Sequence, residues 1–303
     1  MLKHNLLLGI GLLSLWASGC GRTGGETVIR VEGSDTMVNV AQAWAEEYHQ
    51  THPGISVQVL GGGSGVGIAS LIDGNCDIAD CSRKMKPPEI EKATTKQGQR
   101  PEECVAGLDA LAVYAHKDNP LDSISIEELA EIFGEGGEIT EWRQLGVDPD
   151  SRRFTKIIRV NRQNSSGTYS YFREAVLYKK DRSGKEIKRD YKLGSIDQSG
   201  SKDVIALISS TPCAIGYSGM GYQAPGVKML RISRRKGEPG IAPTAANARA
   251  KDPPRRYPIT RPLLMYTIGN PQGPVKEYID WILSPDGQKV LEAIGYVPIQ
   301  GNG

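Results

Sequence analysis

Hydroxyl side chains recur beside glycine in three short segments: Gly33-Ser34-Asp35-Thr36, Gly61-Gly62-Gly63-Ser64-Gly65-Val66-Gly67 and Ser165-Ser166-Gly167-Thr168. Each follows a strand-like run and precedes a helix-like one, so hydroxyls and unobstructed backbone N–H groups gather at a helix start. Such a start carries unpaired donors and the positive end of the helix dipole, and glycine lets the backbone approach closely. Together these suit an anion. One such loop is ordinary cap and turn chemistry, whereas three in one chain form a pattern. Arg162, four residues before Ser166, adds a planar fork of charged donors that fits a tetrahedral oxyanion.

Other chemistries fit less well. The 61–67 loop lacks the Gly-Lys-Ser/Thr ending of a phosphate loop, because Ile68 and Ala69 follow its last glycine, and no acidic residue near position 80 is obviously placed for a ribose. Ser64 and Ser166 lack the Gly-x-Ser-x-Gly elbow, since Val66 and Asn164 occupy the flanking positions, and no histidine is an evident partner. His49, His52 and His116 do not flank a cysteine cluster at zinc-like spacing; His49 and His52 read as exposed residues near a helix end. The expectation is therefore no catalytic residue, no metal and no cofactor: a chain built to hold an anion rather than transform one.

The elements that position these loops alternate between strand and helix. Val28–Val31 alternates like a strand, and Val40, Ala43, Trp44 and Tyr48 share a helical face that ends before Pro53-Gly54. Ile55–Leu60 reads as a strand, Ile68–Ile72 as a short helix stopped at Asp73-Gly74, and Asp77–Ala79 as a brief strand. Leu108–Tyr114 is strand-like, Ser125 caps a helix to Phe133, and Ile157–Val160 leads to Arg162 and a helix through about Tyr178. Arg234–Arg256 is rich in Lys, Arg, Pro, Gly and Ala without periodicity and reads as an exposed loop. Pro262–Ile268 restores a strand, and a final helix over Val275–Ile294, broken near Ser284-Pro285, offers Tyr278, Trp281, Ile282 and Val290 to a core. The alternation predicts an α/β fold with a mainly parallel sheet flanked by helices on both faces.

With 303 residues, 39% hydrophobic and 24% charged, and 37 basic against 35 acidic side chains, the chain is not a disordered tail, a multi-span membrane protein or a nucleic-acid binder driven by bulk charge. At roughly 100–200 residues per domain the length predicts two domains. Lys3 and His4 precede an apolar run from Leu6 to Ala17 that is short for a bilayer but suits a secretory signal, so residues 1–19 are read as a leader. The small residues before Cys20 resemble a bacterial lipobox, apart from Ala17 where leucine is usual, and make Cys20 the expected site of lipidation. Removing Lys3 with the leader leaves 36 basic against 35 acidic residues, so a charged ligand must be held by local groups. Of Cys76, Cys81, Cys104 and Cys213, the first three lie close enough in sequence that a disulfide among them is expected in an exported chain.

At these residues the sequence resembles the phosphate-binding proteins of bacterial phosphate ABC transporters, within the type II periplasmic binding-protein superfamily. The likeness runs through Gly33–Met37, the glycine-rich loop with Ser64, Ser82-Arg83, Arg162–Thr168, Tyr257–Tyr266 and the tail from Trp281 to Pro298. The resemblance implies an α/β fold of two lobes closing on one oxyanion: residues 27–114 plus 258–303 in the first, 115–257 in the second, with crossovers near Tyr114–His116 and Tyr257–Arg261. It further implies a monomer that captures inorganic phosphate and passes it to ABC permease subunits at the outer face of the membrane, with no nucleic-acid partner. By the same resemblance Ser34, Thr36, the Met37 amide, Ser64 and Ser82 bind from the first lobe, and Arg162, Ser166, Gly167 and Thr168 from the second. Many relatives place an aspartate at the position of Ser82, where a carboxylate accepts the proton of hydrogen phosphate and rejects sulfate. Asp35 is either a substitute acceptor or a helix cap, and Asp80 lies two positions before Ser82 on the same strand face. Sulfate, molybdate or tungstate on the same fold is one alternative, a phosphate-ester hydrolase or transferase another, and a phosphate sensor or adhesion module a third.

Overall fold

The structure, a computed structural model, describes residues 26–147, 154–180 and 183–299; the leader and Cys20 lie outside them. The first lobe opens with β1 (Thr27–Gly33), α1 (Val38–Thr51), β2 (Ile55–Leu60), α2 (Ser64–Asp73), β3 (Ile78–Cys81), α3 (Pro87–Gln97) and the long β4 (Pro101–His116). Next come β5 (Ser123–Ser125), α4 (Ile126–Phe133), β6 (Ile158–Arg162), α5 (Gly167–Phe172) running into a wider turn over Arg173–Leu177, β7 (Lys179–Lys180), β8 (Glu186–Ile187) and β9 (Ile196–Gln198). The chain continues through α6 (Ser201–Ser210), β10 (Ala214–Gly219), β11 (Val227–Met229), β12 (Arg231–Ser233) and α7 (Ala245–Arg249), and ends with β13 (Thr260–Ile268), α8 (Gly273–Leu283) and α9 (Pro285–Ala293).

The main sheet runs in the order β2-β1-β3-β13-β4-β10-β6-β9, with β11 added beside β4. Its flanks are parallel, as strand–helix alternation requires: β1 with β2 and β3 on one side, β6 with β10 and β9 on the other. Its centre is antiparallel, because β13 returns against both β3 and β4. β4 belongs to both halves. Its residues up to Ala110 pair with β13, and from Leu111 on they pair with β10. The returning chain crosses at the same place, where the Leu111 amide donates to the Ile259 carbonyl at 2.9 Å and the Tyr257 hydroxyl to the Leu111 carbonyl at 3.0 Å.

Separate apolar clusters form on the two halves of the main sheet. Val40, Trp44 and Tyr48 of α1 pack with Tyr278, Ile279 and Ile282 of α8 on one face of the first half-sheet; Ala41 is the buried alanine of α1, while Ala43 is only half-buried. In the second lobe Phe172 stacks on Tyr217 at 3.8 Å and 4°, which fixes α5 against β10 behind the cleft. Ser125 caps α4 with a reciprocal Glu128 contact, and the final helix divides at Ser284, whose hydroxyl accepts from the Gly287 amide. The 234–256 stretch is not wholly irregular, since Thr244 caps the short helix α7. No disulfide forms among the described residues. Cys76 and Cys81 are buried thiols within one apolar cluster, and burial pushes Cys76 up to about 12. No described helix is long and apolar enough to cross a membrane.

Asp80, on β3, is 4% exposed and its Oδ1 has no hydrogen-bond partner. Burial pushes its carboxyl up to about 7, so the folded chain retains a proton that the unfolded chain releases near pH ~4. Between those values the native state binds more protons, and stability falls as pH rises. Chemical denaturation should show a loss of roughly 2–3 kcal/mol between pH ~5 and ~8 that Asp80→Asn removes. A loss that persists in the variant would assign the slope to other groups.

Candidate functional site

The parallel register brings the three hydroxyl loops together. Gly33 pairs with Asp80 across β1 and β3, so Ser34 and Ser82 leave the sheet at the same carboxyl end, and the Ser34 hydroxyl donates to Ser82 Oγ at 2.9 Å. The loop after β2 returns to this end at Ser64, whose Oγ accepts the Ser82 amide at 3.0 Å and lies 3.4 Å from Ser82 Oγ. From the second lobe β6 ends at Arg162, and α5 starts at Gly167 under its cap Ser166. Carboxyl ends of parallel strands are where open α/β sheets present their ligand crevice.

The lobes touch at these residues. Thr36 Oγ1 and Thr168 Oγ1 are 2.8 Å apart, and the Gly65 amide donates to the Ser165 carbonyl at 2.9 Å. Two glycines make this approach possible. Gly63 has φ +97°, and a Cβ there would stand 2.8 Å from the Ser165 carbonyl oxygen. A Cβ on Gly167 would fall 2.3 Å from Ser64 Oγ and 2.6 Å from Ser82 Oγ.

Arg162 is 1% exposed and crosses the cleft. Its Nη2 meets Asp35 Oδ2 at 2.7 Å and the Ser199 carbonyl at 2.8 Å, and its Nη1 donates to Ser201 Oγ at 2.9 Å. Nε finds no acceptor among the described residues. Burial pulls the guanidinium below its usual range, and the Asp35 carboxylate opposes that pull. Asp35 is no helix cap. Met37 stands at the N-cap of α1 without a side-chain cap bond, while Asp35 Oδ1 accepts the Gly62 amide at 3.0 Å. Both Asp35 oxygens are thus engaged. The Met37 amide is engaged too, donating to the Ser34 carbonyl at 2.8 Å.

Sequence reasoning missed a second buried cation. Arg261 lies opposite Asp109 in the β13–β4 register, and both are fully buried. Asp109 Oδ2 accepts from Arg261 Nε at 2.9 Å, and Asp109 Oδ1 takes the Met220 amide at 3.0 Å. The rest of the guanidinium reaches the Ser82 carbonyl at 3.3 Å and Thr36 Oγ1 at 3.2 Å. The position falls inside the expected second crossover, but nothing in its own sequence neighbourhood distinguishes a buried arginine from a surface one; the signal is its register partner Asp109.

These contacts set the polarity of the hydroxyls. Arginine and amides only donate. Thr36 accepts from Arg261, Ser64 from the Ser82 amide, and Ser166 from the Thr168 and Tyr169 amides at 3.1 and 3.4 Å. Each of these hydroxyls also carries a proton of its own, and Thr36 and Thr168 share one such proton across their 2.8 Å contact. The result is a cluster of hydroxyls next to the loop residue Asp35 that Arg162 holds from across the cleft, a composition that suits a negatively charged, multiply accepting oxyanion.

The sequence profile of the PBP superfamily domain matches residues 21–286. Phosphate-binding protein PstS of Pseudomonas aeruginosa is 31% identical over 278 residues, which cover 88% of this chain and 81% of that protein. The PstS protein of Bacillus subtilis is 31% identical over 273 residues, 89% of this chain and 80% of that one. Among solved structures, an ABC-type phosphate transport receptor from Vibrio cholerae matches with TM-score 0.65 at 28% identity, over 89% of this chain and 99% of that one. A phosphate ABC transporter substrate-binding protein from Clostridium perfringens, solved with bound phosphate, matches in fold with TM-score 0.75 at 24% identity, over 90% of this chain and all of that one. The chain belongs to the PBP superfamily and, within it, to the family of phosphate-binding proteins named PstS.

Proposed function

We propose that this chain is an extracytoplasmic solute-binding protein that captures inorganic phosphate between its lobes and delivers it to an ABC importer. The observation that carries this reading is the meeting of the hydroxyl loops: Ser34 and Ser64 reach Ser82, Thr36 reaches Thr168, the helix start capped by Ser166 packs its Gly167 against Ser64 and Ser82, and Arg162 pairs with Asp35 of the first loop. Its relatives of about one-third identity named as phosphate-binding proteins direct the choice among oxyanions. The first lobe is taken as residues 27–114 plus 258–303 and the second as 115–257, with hinge motion where β4 and the 257–260 segment cross. Closure joins Arg162 to Asp35 and Thr168 to Thr36, so the anion and the closed form stabilise one another. The chain binds as a monomer and performs no chemistry on its ligand: the groups gathered at the site are hydroxyls, amides and an ion-paired arginine, which suit hydrogen bonding rather than proton or group transfer.

Because Asp35 is spent on Arg162 and Gly62, the group best placed to accept the proton of hydrogen phosphate is the Ser82 hydroxyl, which already accepts from Ser34. Anchoring through a lipid on Cys20 would hold the protein at the outer face of the membrane beside its permease.

Calorimetry of the mature chain against phosphate, sulfate and a phosphate monoester should give tight binding of phosphate alone. Arg162→Ala should weaken it at least about 100-fold, with the circular dichroism spectrum unchanged. Retained affinity would put the anion elsewhere.

Gly167→Ala keeps a helix-compatible residue at the start of α5 yet inserts a methyl group between Ser64 and Ser82. A loss of about 10- to 100-fold in phosphate affinity is expected, with little change in thermal stability. Wild-type affinity in this variant would show that closure to the observed distances is not needed.

For the anchor, metabolic labelling with a radioactive fatty acid should mark the wild-type chain and not Cys20→Ala. Equal labelling would refute lipidation at this residue.

A further inference from the structure

The two sides of the anion site differ in charge and access. One side is sealed by the Asp35–Arg162 pair, by the Tyr222 hydroxyl donating to the Asp35 carbonyl, and by the Gly65–Ser165 bond. An incoming anion would meet the Asp35 carboxylate there. On the other side Ser82 and Arg261 form the floor of a cavity of about 370 Å³ that opens between the lobes. Its first-lobe wall is the run Arg83, Lys84 and Lys86, which follows directly on Ser82; Tyr171 and Glu174 face it from the second lobe.

The cations of this wall divide by burial. Arg83 is 8% exposed and clamped by both oxygens of Glu89 at 2.7 and 2.8 Å, which makes it a fixed part of the wall. Lys84 is 71% exposed and meets Glu103 at 3.2 Å, a solvent-screened pair that leaves the ammonium free to move. Lys86 is exposed at the start of α3. Glu174, also exposed, is near enough to act on the charge of Arg83. A chain close to neutral overall exerts little long-range pull on a dianion, so attraction must come from a local patch within about one Debye length, ~8–10 Å.

We propose that the Lys84–Lys86 rim is the port by which the anion reaches the hydroxyl cluster, and that it sets the association rate rather than the strength of holding. This rests on the phosphate-binding reading above. Neither lysine touches the hydroxyls, so their charges act on approach. Glu174 is an opposing charge across the same mouth, while Glu89 and Glu103 lie on the cations' own side, on Arg83 and Lys84.

Stopped-flow fluorescence with inorganic phosphate tests the proposal on the mature chain. At about 10 mM ionic strength the double variant Lys84→Glu/Lys86→Glu should associate about tenfold more slowly than wild type, with the same dissociation rate. The difference should largely vanish at about 300 mM. Lys84→Arg/Lys86→Arg should keep the wild-type rate, and Glu174→Gln should raise it. An unchanged association rate in the charge-reversed variant, or a change confined to dissociation, overturns the proposal. A wild-type chain that binds no phosphate overturns the functional reading and this proposal with it.

Discussion

The buried pair of Arg261 and Asp109 ties the site to the sheet. It lies on the two strands that cross between lobes, one register position from where β4 changes partners. Burying two charges costs several kcal/mol per ion unless geometry and further hydrogen bonds compensate. Here both groups are fully engaged. Asp109 takes Arg261 and the Met220 amide, and Arg261 takes Asp109, the Ser82 carbonyl and Thr36. The pair therefore holds the loop after β3 and the loop after β1 at a fixed distance. It also supplies a donor to the Thr36 hydroxyl, which in turn meets Thr168 of the facing loop.

Arg261 is neutralised by Asp109 and Arg162 by Asp35, so neither adds a net charge to the site. What remains to meet an anion is a set of oriented dipoles. Preorganised donors in a dry site interact more strongly than the same donors in water and need not reorganise when the anion arrives. This explains how a chain with almost equal numbers of acidic and basic residues can hold a dianion. It also separates two tasks. On the proposed reading the buried donors would hold the ligand once the lobes are shut, and any attraction over distance would come from residues outside the cluster.

The loops, the order of the elements and Arg162 were legible in the sequence because each is a local pattern. Periodicity of 2 gives way to periodicity of 3.6, with glycine and hydroxyls at the joint, before β1, α1, α2 and α5 are ever seen together. The antiparallel centre was not legible, since it depends on which side of β3 the distant β13 lands. Arg261 and Asp109 were hidden for the same reason: 152 positions apart, they become partners only through the β13–β4 register. Asp35 shows the limit of local reasoning from the other side. Its place before a helix suggests a cap, but the helix begins late enough that the carboxylate turns to Gly62 and Arg162 instead. The expected disulfide is not formed: Cys76 and Cys81 are buried in one apolar cluster as free thiols that pack like ordinary core residues.

Asp35 and Arg162 also explain why the two lobes and the ligand act as one equilibrium. Each would be solvated when the cleft is open, and both lose water on closure, a cost their single 2.7 Å contact offsets only in part. Arg162 Nε retains an unused donor in a site where it cannot reach water. On the proposed reading, an oxyanion within reach of that donor would satisfy it and return free energy to the closed form alone. The same atom that makes closure unfavourable by itself thereby makes it favourable with ligand, which is the differential affinity that any ligand-driven conformational change requires.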